Sequence, residues 1–289
     1  MIAKSPEART AATADLMIAM TAMLWASGGL FIKLVNLGPL ATAGIRSVIA
    51  AVFLFATARK PRFQWSLAQL LCGVAHALAM ITFVAATKLT TAANAILLQY
   101  SAPAFVAVFS FWLLGERISR FDWASLAVVL GGLVLFFLDD LSLEGSWGNI
   151  LAIVSGVAFA WVHLLLRYQK AGSPAGSLIL GNVIAAVVCA PWALERWPDA
   201  RSWLALLFLG TIQLGLSNML YSRAIRHVRA VESAIILMIE PVLNPLLVFV
   251  FLGERPGPWA IAGGVVVFAV IGARSLITAR AAEAMRARR

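Results

Sequence analysis

The chain has 289 residues, 62% of them hydrophobic and only 12% charged, which is more apolar side chain than a soluble fold could cover. Apolar runs close to the roughly 20 residues that cross a bilayer core recur along the whole length. They lack the alternation of barrel strands, so the fold class is an all-α polytopic membrane protein. The net charge of +10 sits in loops and not in one stripe, which argues against a nucleic-acid partner.

Taken in chain order, the apolar runs predict ten spans, at about 15–35, 40–58, 66–87, 92–114, 123–138, 147–166, 175–194, 203–222, 230–252 and 258–277. The polar N-terminus does not resemble a cleavable signal peptide. Short connections with turn residues separate the spans, most clearly Asn36-Leu-Gly-Pro39, Gly172-Ser-Pro174 and Arg196-Trp-Pro198. A short basic tail, Met285-Arg-Ala-Arg-Arg289, follows the last one. Cys72 and Cys189 both fall inside apolar runs and read as packing residues, with no disulfide or metal pair.

One stretch occurs twice. Pro103, Leu114-Gly-Glu-Arg117, Ala86, Ala92 and Phe111 recur 138 residues later as Pro241, Leu252-Gly-Glu-Arg255, Ala224, Ala230 and Phe249. A match with one spacing predicts two copies of one unit, at 1–140 and 141–289. Five spans per copy is an odd number, so the second copy enters the membrane the other way up. Such inverted repeats are a recurrent design of secondary transporters, because two oppositely facing copies can exchange roles. Lys and Arg place both termini in the cytoplasm. That side holds Arg62, Arg117, Arg120, Arg167, Lys170, Arg223, Arg226 and Arg229, and the opposite side carries Asp139, Asp140 and Glu144.

These residues resemble a known family. Leu24-Trp25 in the first span, Ile45-Arg46 in the second and the fourth span ending in Leu-Gly-Glu-Arg are similar to the EamA branch of the drug/metabolite transporter superfamily. Ile239-Glu240-Pro241 through Leu252-Gly-Glu254 fits the same pattern. The resemblance spans nearly the whole chain. It implies ten helices in two inverted five-helix halves in a bacterial inner membrane. The site would lie among helices one, three, four, six, eight and nine. It also implies export of small metabolites, with the aromatic and neutral amino-acid exporters as the nearest likeness. The seventh span has no counterpart of Arg46, so the halves are not chemically equivalent.

Several polar and aromatic residues inside spans are candidates for substrate contact. Glu240 is the costliest, since an acid at mid-membrane costs about 2.5–3.5 kcal/mol on insertion scales. It either carries a proton or satisfies backbone groups freed by Pro241 and Pro245. His76 can titrate near neutral pH or simply join two helices. Trp25 and Trp161 sit deeper than the tryptophans at span ends, and Gly28 and Gly29 leave space beside Trp25. Gln99 and Tyr100 precede Pro103, and Asn218 follows Gln213 and Ser217 on the eighth span. Arg46, about 9 Å below the start of the second span, either meets a substrate carboxylate near the outer mouth or snorkels to the interface.

No enzymatic signature stands out: there is no His-Glu-x-x-His pattern, no phosphate-binding Gly loop and no pair of intramembrane aspartates. The sequence thus predicts a transporter without cofactor, metal or catalytic residues. Its partners are a small-molecule substrate and the bilayer, with no nucleic acid and no obligate protein partner evident. An intramembrane lipid-modifying enzyme, a lipid flippase and a nucleotide-sugar-type carrier are the alternatives.

Overall fold

The computed structural model describes residues 6–58, 61–90, 92–136, 138, 145–193, 196–243 and 257–287, and every regular element among them is helical. That is what a bilayer demands, since each backbone N–H and C=O must be satisfied within its own segment. The first half comprises α1 (Pro6–Ala26), α2 (Gly28–Leu34), α3 (Pro39–Thr57), α4 (Leu67–Leu89), α5 (Ala92–Gln99), α6 (Ala102–Leu114) and α7 (Arg120–Phe136). The second comprises α8 (Ser146–Tyr168), α9 (Pro174–Ala193), α10 (Ala200–Phe208), a π-helical segment (Leu209–Leu216), α11 (Ser217–Ala224), α12 (Ala230–Leu237) and α13 (Pro258–Ala287).

Seven described helical stretches are long and apolar enough to cross a membrane: Ala12–Leu34, Pro39–Thr57, Leu67–Leu89, Asn94–Leu114, Ser146–Tyr168, Pro174–Ala193 and Ala200–Ala224. They coincide with predicted spans one to four and six to eight. The fifth predicted span is α7, with 17 residues, and the tenth contains the shorter apolar stretch Ile261–Arg274. The ninth is described only as far as residue 243, where residues 240–243 are helical. The second Leu-Gly-Glu-Arg, with Asn244, Pro245 and Phe249, lies outside the described residues. So do Lys4, the Asp139, Asp140 and Glu144 loop, and the end of the basic tail.

Local chemistry sets the helix ends. Ser66 Oγ accepts the Gln69 N–H at 3.2 Å and starts α4, and Asp199 Oδ1 accepts the Ser202 N–H at 2.7 Å and starts α10. That Ser202 N–H holds the Asp199 carboxyl below the usual carboxylate range. At the end of α6, Gly115 adopts φ +65°, a left-handed C-cap that glycine accepts without a Cβ penalty.

Four spans are interrupted among the described residues. The first breaks at Ser27, just after Trp25; the fourth breaks at Tyr100 and Ser101, ahead of Pro103; the eighth widens into its π-helical segment; the ninth breaks at Met238 and Ile239, ahead of Pro241. The proline accounts for the fourth, since its missing N–H is harmless in the first turn of a new helix. Residues at or beside all four interruptions border one interior space, which holds Trp25, Gln99, Gln213 and Glu240 together.

Packing follows a pattern of exchanged halves. α3 packs on α9, and α7 packs on α13. α4 packs on α8 and α9, while α1 packs on α11 and α3 packs on the π-helical segment. α6 packs on α8, while α12 packs on α1. Close approach between α3 and the eighth span requires Gly210, where a Cβ would come within 2.5 Å of Ile49 Cβ and 2.9 Å of the Arg46 carbonyl oxygen.

Candidate functional site

The interrupted spans enclose a small cavity bordered by Trp25 from α1, Arg46 from α3, and Met80 and Phe83 from α4. Gln99 from α5, Phe159 from α8, Gln213 and Leu214 from the π-helical segment, and Glu240 complete it. The room inside is about 20 Å³, enough for a water or so. Each half contributes residues, so the cavity exists only because the halves face each other.

Arg46 is the most informative member. Its residue is 1% exposed, so the side chain does not extend to the protein surface and borders the cavity. One guanidinium nitrogen approaches the Met80 carbonyl oxygen at 3.5 Å and its sulfur at 3.6 Å, both long contacts. Among the described residues, Nε and the other terminal nitrogen have no hydrogen-bond partner. Buried charges are ordinarily paired, so this one is conspicuous. Two neighbours on the same cavity share the condition: Trp25 Nε1 and Gln213 Oε1 are also buried without a partner among the described residues.

Glu240 faces the same space. Its Oε2 lies 2.5 Å from Tyr100 Oη, and that hydroxyl also lies 2.9 Å from the Leu237 carbonyl oxygen. A tyrosine has one proton to donate. Both contacts are satisfied together when Glu240 bears a proton of its own and donates it to Tyr100, while Tyr100 donates to Leu237. Gln99 is anchored differently: its amide donates to Ser155 Oγ at 2.7 Å, which donates to the Ala79 carbonyl at 2.9 Å. That chain ties α5, α8 and α4 together beside the cavity.

Aromatic rings form the remaining wall. Trp25 meets Phe159 edge-on with centroids 5.3 Å apart, and Tyr221 at 5.8 Å. Phe159 in turn meets His163 at 4.4 Å. The space beside Trp25 that Gly28 provides is taken by Gln213, whose Nε2 would lie 2.8 Å from a Cβ placed on Gly28.

The structure thus brings together Trp25, Gln99, Arg46 and Glu240, with Tyr100 bonded directly behind Glu240. Three other predicted residues lie off the lining. His76 accepts a hydrogen bond from the Asn182 amide at 3.1 Å, joining α4 to α9. Trp161 is half-buried against Phe109, with centroids 5.4 Å apart. Asn218 is buried on α11, with its amide nitrogen unpartnered among the described residues. Phe83, Phe159 and the π-helical placement of Gln213 had no sequence signal strong enough to single them out. A phenylalanine in an apolar run looks like any other packing residue.

Away from the cavity, acids of the first half pair with arginines of the second. Glu116 of the described Leu-Gly-Glu-Arg motif contacts Arg167 Nε at 2.9 Å, and its other oxygen accepts the Ala230 N–H at the start of α12 at 3.0 Å. Arg167 also donates to the carbonyls of Ile225 and Arg226. Asp122, at the start of α7, lies 2.6 Å from Arg274 and 3.3 Å from Arg229.

Helices of this length and composition, packed around a buried cavity, define a multi-pass membrane protein. The chain matches the EamA-like transporter family twice, over residues 12–138 and 146–273, and it belongs to that family, within the drug/metabolite transporter superfamily. It is 30% identical over 203 residues to the pseudopaline exporter CntI of Pseudomonas aeruginosa, covering 68% of this chain and 70% of the exporter. It is 30% identical over 166 residues to the threonine/homoserine exporter RhtA of Salmonella typhimurium, covering 55% and 54%. A solved crystal structure superposes with a TM-score of 0.78 at 19% identity, over 91% of this chain and 98% of that one, which shows a shared fold.

Proposed function

We propose that the protein is a secondary exporter of aromatic and other neutral amino acids and related small metabolites, working by alternating access. It sits in the bacterial inner membrane with both termini cytoplasmic, and its halves, 1–140 and 141–289, are inverted five-helix repeats. The observation that carries this reading is the cavity at which both halves meet, holding a buried cation with no ion-pair partner among the described residues, an acid and aromatic rings. The exchange pattern of helix contacts supports the repeats, since each of the main packing pairs either maps onto itself or has a partner with the halves swapped. Threonine and homoserine, which the Salmonella relative exports by name, are neutral α-amino acids, in keeping with a neutral substrate here.

In this reading Trp25, Gln99, Tyr100, Arg46 and Glu240 contact or border the substrate. Trp161, His76 and Asn218 hold the walls from behind. Glu240 carries a proton, which suits the two acceptors competing for the Tyr100 hydroxyl. Purified protein in liposomes is the test. Exchange of labelled tryptophan and threonine across the membrane is expected, and no exchange of any labelled amino acid in a broad panel would overturn the reading.

A further inference from the structure

Four unsatisfied or charged groups border one cavity, and their types specify a ligand. Among the described residues, Arg46 offers two unpartnered guanidinium nitrogens, and Trp25 offers one unpartnered indole N–H. Gln213 offers a free carbonyl oxygen, and Glu240 offers a carboxyl group. The first two are donors and call for an acceptor, and a planar carboxylate matches the forked donors of a guanidinium better than a point acceptor does. The last two call for a donor, and an ammonium with three N–H groups suits them. Both sets are buried, so each group left empty costs desolvation that water no longer repays.

We propose that the cavity reads both charged ends of a free α-amino acid, with the carboxylate on Arg46 and Trp25 Nε1 and the ammonium on Gln213 Oε1 and Glu240. The inference rests on the export function proposed above and adds how the substrate class is chosen. Charge balance supports it. Glu240 releases the proton it carries as the ammonium binds; once it is ionised, the Arg46 and Glu240 charges cancel, and a zwitterion leaves that balance unchanged. An amine alone leaves Arg46 unpaired, and an acid alone leaves Glu240 unpaired. The present volume of about 20 Å³ means that an amino acid enters only as the halves part. Side-chain identity is then left to Phe83, Phe159 and Met80, whose apolar surfaces tolerate different shapes.

Competition in proteoliposomes tests this without any variant. Unlabelled tryptophan should inhibit exchange of labelled tryptophan, while tryptamine and indole-3-propionate should each inhibit at least about tenfold more weakly. A site that hydrogen-bonds a group discriminates strongly against analogues lacking it. Arg46→Gln should raise the tryptophan KM at least about tenfold while leaving the weak inhibition by tryptamine unchanged. Arg46→Lys should fall between, since it keeps the charge and loses the fork. If tryptophan exchanges well but tryptamine or indole-3-propionate competes equally, the two-ended reading is wrong and the export function stands. A folded Arg46→Gln protein with an unchanged KM overturns the two-ended reading in the same way. If no labelled amino acid exchanges at all, the export function falls and this inference falls with it. Should Arg46→Gln fail to fold, the competition on the wild-type protein decides alone.

Discussion

At the scale of single residues, the sequence exposes what is expensive and hides what is merely well placed. Glu240 stands out because a carboxyl inside an apolar run has to be explained. Arg46 stands out for the same reason, yet its depth does not follow from the sequence. Snorkelling and burial both begin from a lone arginine six residues into a helix, and only packing against Met80 decides between them. Trp25 and Trp161 look alike in sequence, but one borders the cavity and the other rests on Phe109. That difference makes a prediction. Trp25→Ala removes a ring that touches both Phe159 and Tyr221, and such pairs are worth about 0.5–1.5 kcal/mol each beyond area burial. Tryptophan exchange by Trp25→Ala should weaken several-fold, while Trp161→Ala should stay within about twofold of wild type, both read as KM in liposomes. Glu240→Gln tests the proton role. An amide keeps one donor and one acceptor but cannot release a proton. The variant should therefore continue simple exchange and lose its response to an imposed pH gradient. Unchanged pH-driven flux would remove Glu240 from coupling.

At the scale of elements, the sequence places the helices well and their interruptions poorly. Apolar length alone locates the seven described membrane-length stretches to within a few residues, because hydrocarbon thickness fixes the length of each. The break at Tyr100 and Ser101 is legible through Pro103. The break at Ser27 and the π-helical segment at Leu209–Leu216 have no such mark. π-helical turns gather at functional sites, and this one carries Gln213 to the cavity. Glycines next to these interruptions should be intolerant of a side chain. A Cβ on Gly210 would overlap Ile49 at 2.5 Å and crowd the Arg46 carbonyl at 2.9 Å, so the α3 backbone under Arg46 would have to move. Gly210→Ala should lose about 1–3 kcal/mol, as overpacking does, and lower the thermal midpoint in detergent. A Cβ on Gly131 would meet nothing within 4 Å, so Gly131→Ala should be neutral or gain up to about 1 kcal/mol from helix propensity. Equal melting of the two variants would show that the α3 contact is not tight.

At the scale of the whole molecule, the repeat is legible through a handful of matched positions, and the way its halves hold each other is not. The Leu-Gly-Glu-Arg motif gives no hint of its use in sequence. In the structure, Gly115 stops α6 in a left-handed turn, and Glu116 then reaches the other half, where it meets Arg167 and the first free N–H of α12. An acid at a helix N-terminus is favoured by the exposed N–H groups and the dipole together. Asp122 with Arg274 and Arg229 repeats the theme nearby. These contacts all lie on the side that the Lys and Arg bias makes cytoplasmic, and cysteine labelling checks that side. The native Cys72 and Cys189 are fully buried and should stay silent. Gly38→Cys and Trp197→Cys should react with an impermeant thiol reagent from outside intact cells, and Arg62→Cys and Lys170→Cys should not. If Glu116 then holds the cytoplasmic end shut, weakening it should open that end. Glu116→Gln keeps an acceptor for the Ala230 N–H but loses the charge facing Arg167, and Glu116→Ala loses both. A hydrogen bond to a charged group is worth about 1.5–3 kcal/mol, and each 1.4 kcal/mol is about tenfold in an equilibrium. Ser233 lies on α12 with no exposure, so Ser233→Cys reports opening from that side. In inside-out vesicles its labelling by a maleimide should speed up about tenfold or more on adding Glu116→Ala, and by less on adding Glu116→Gln. Equal labelling in all three backgrounds, with transport unaltered, would mean that Glu116 caps α12 without governing access.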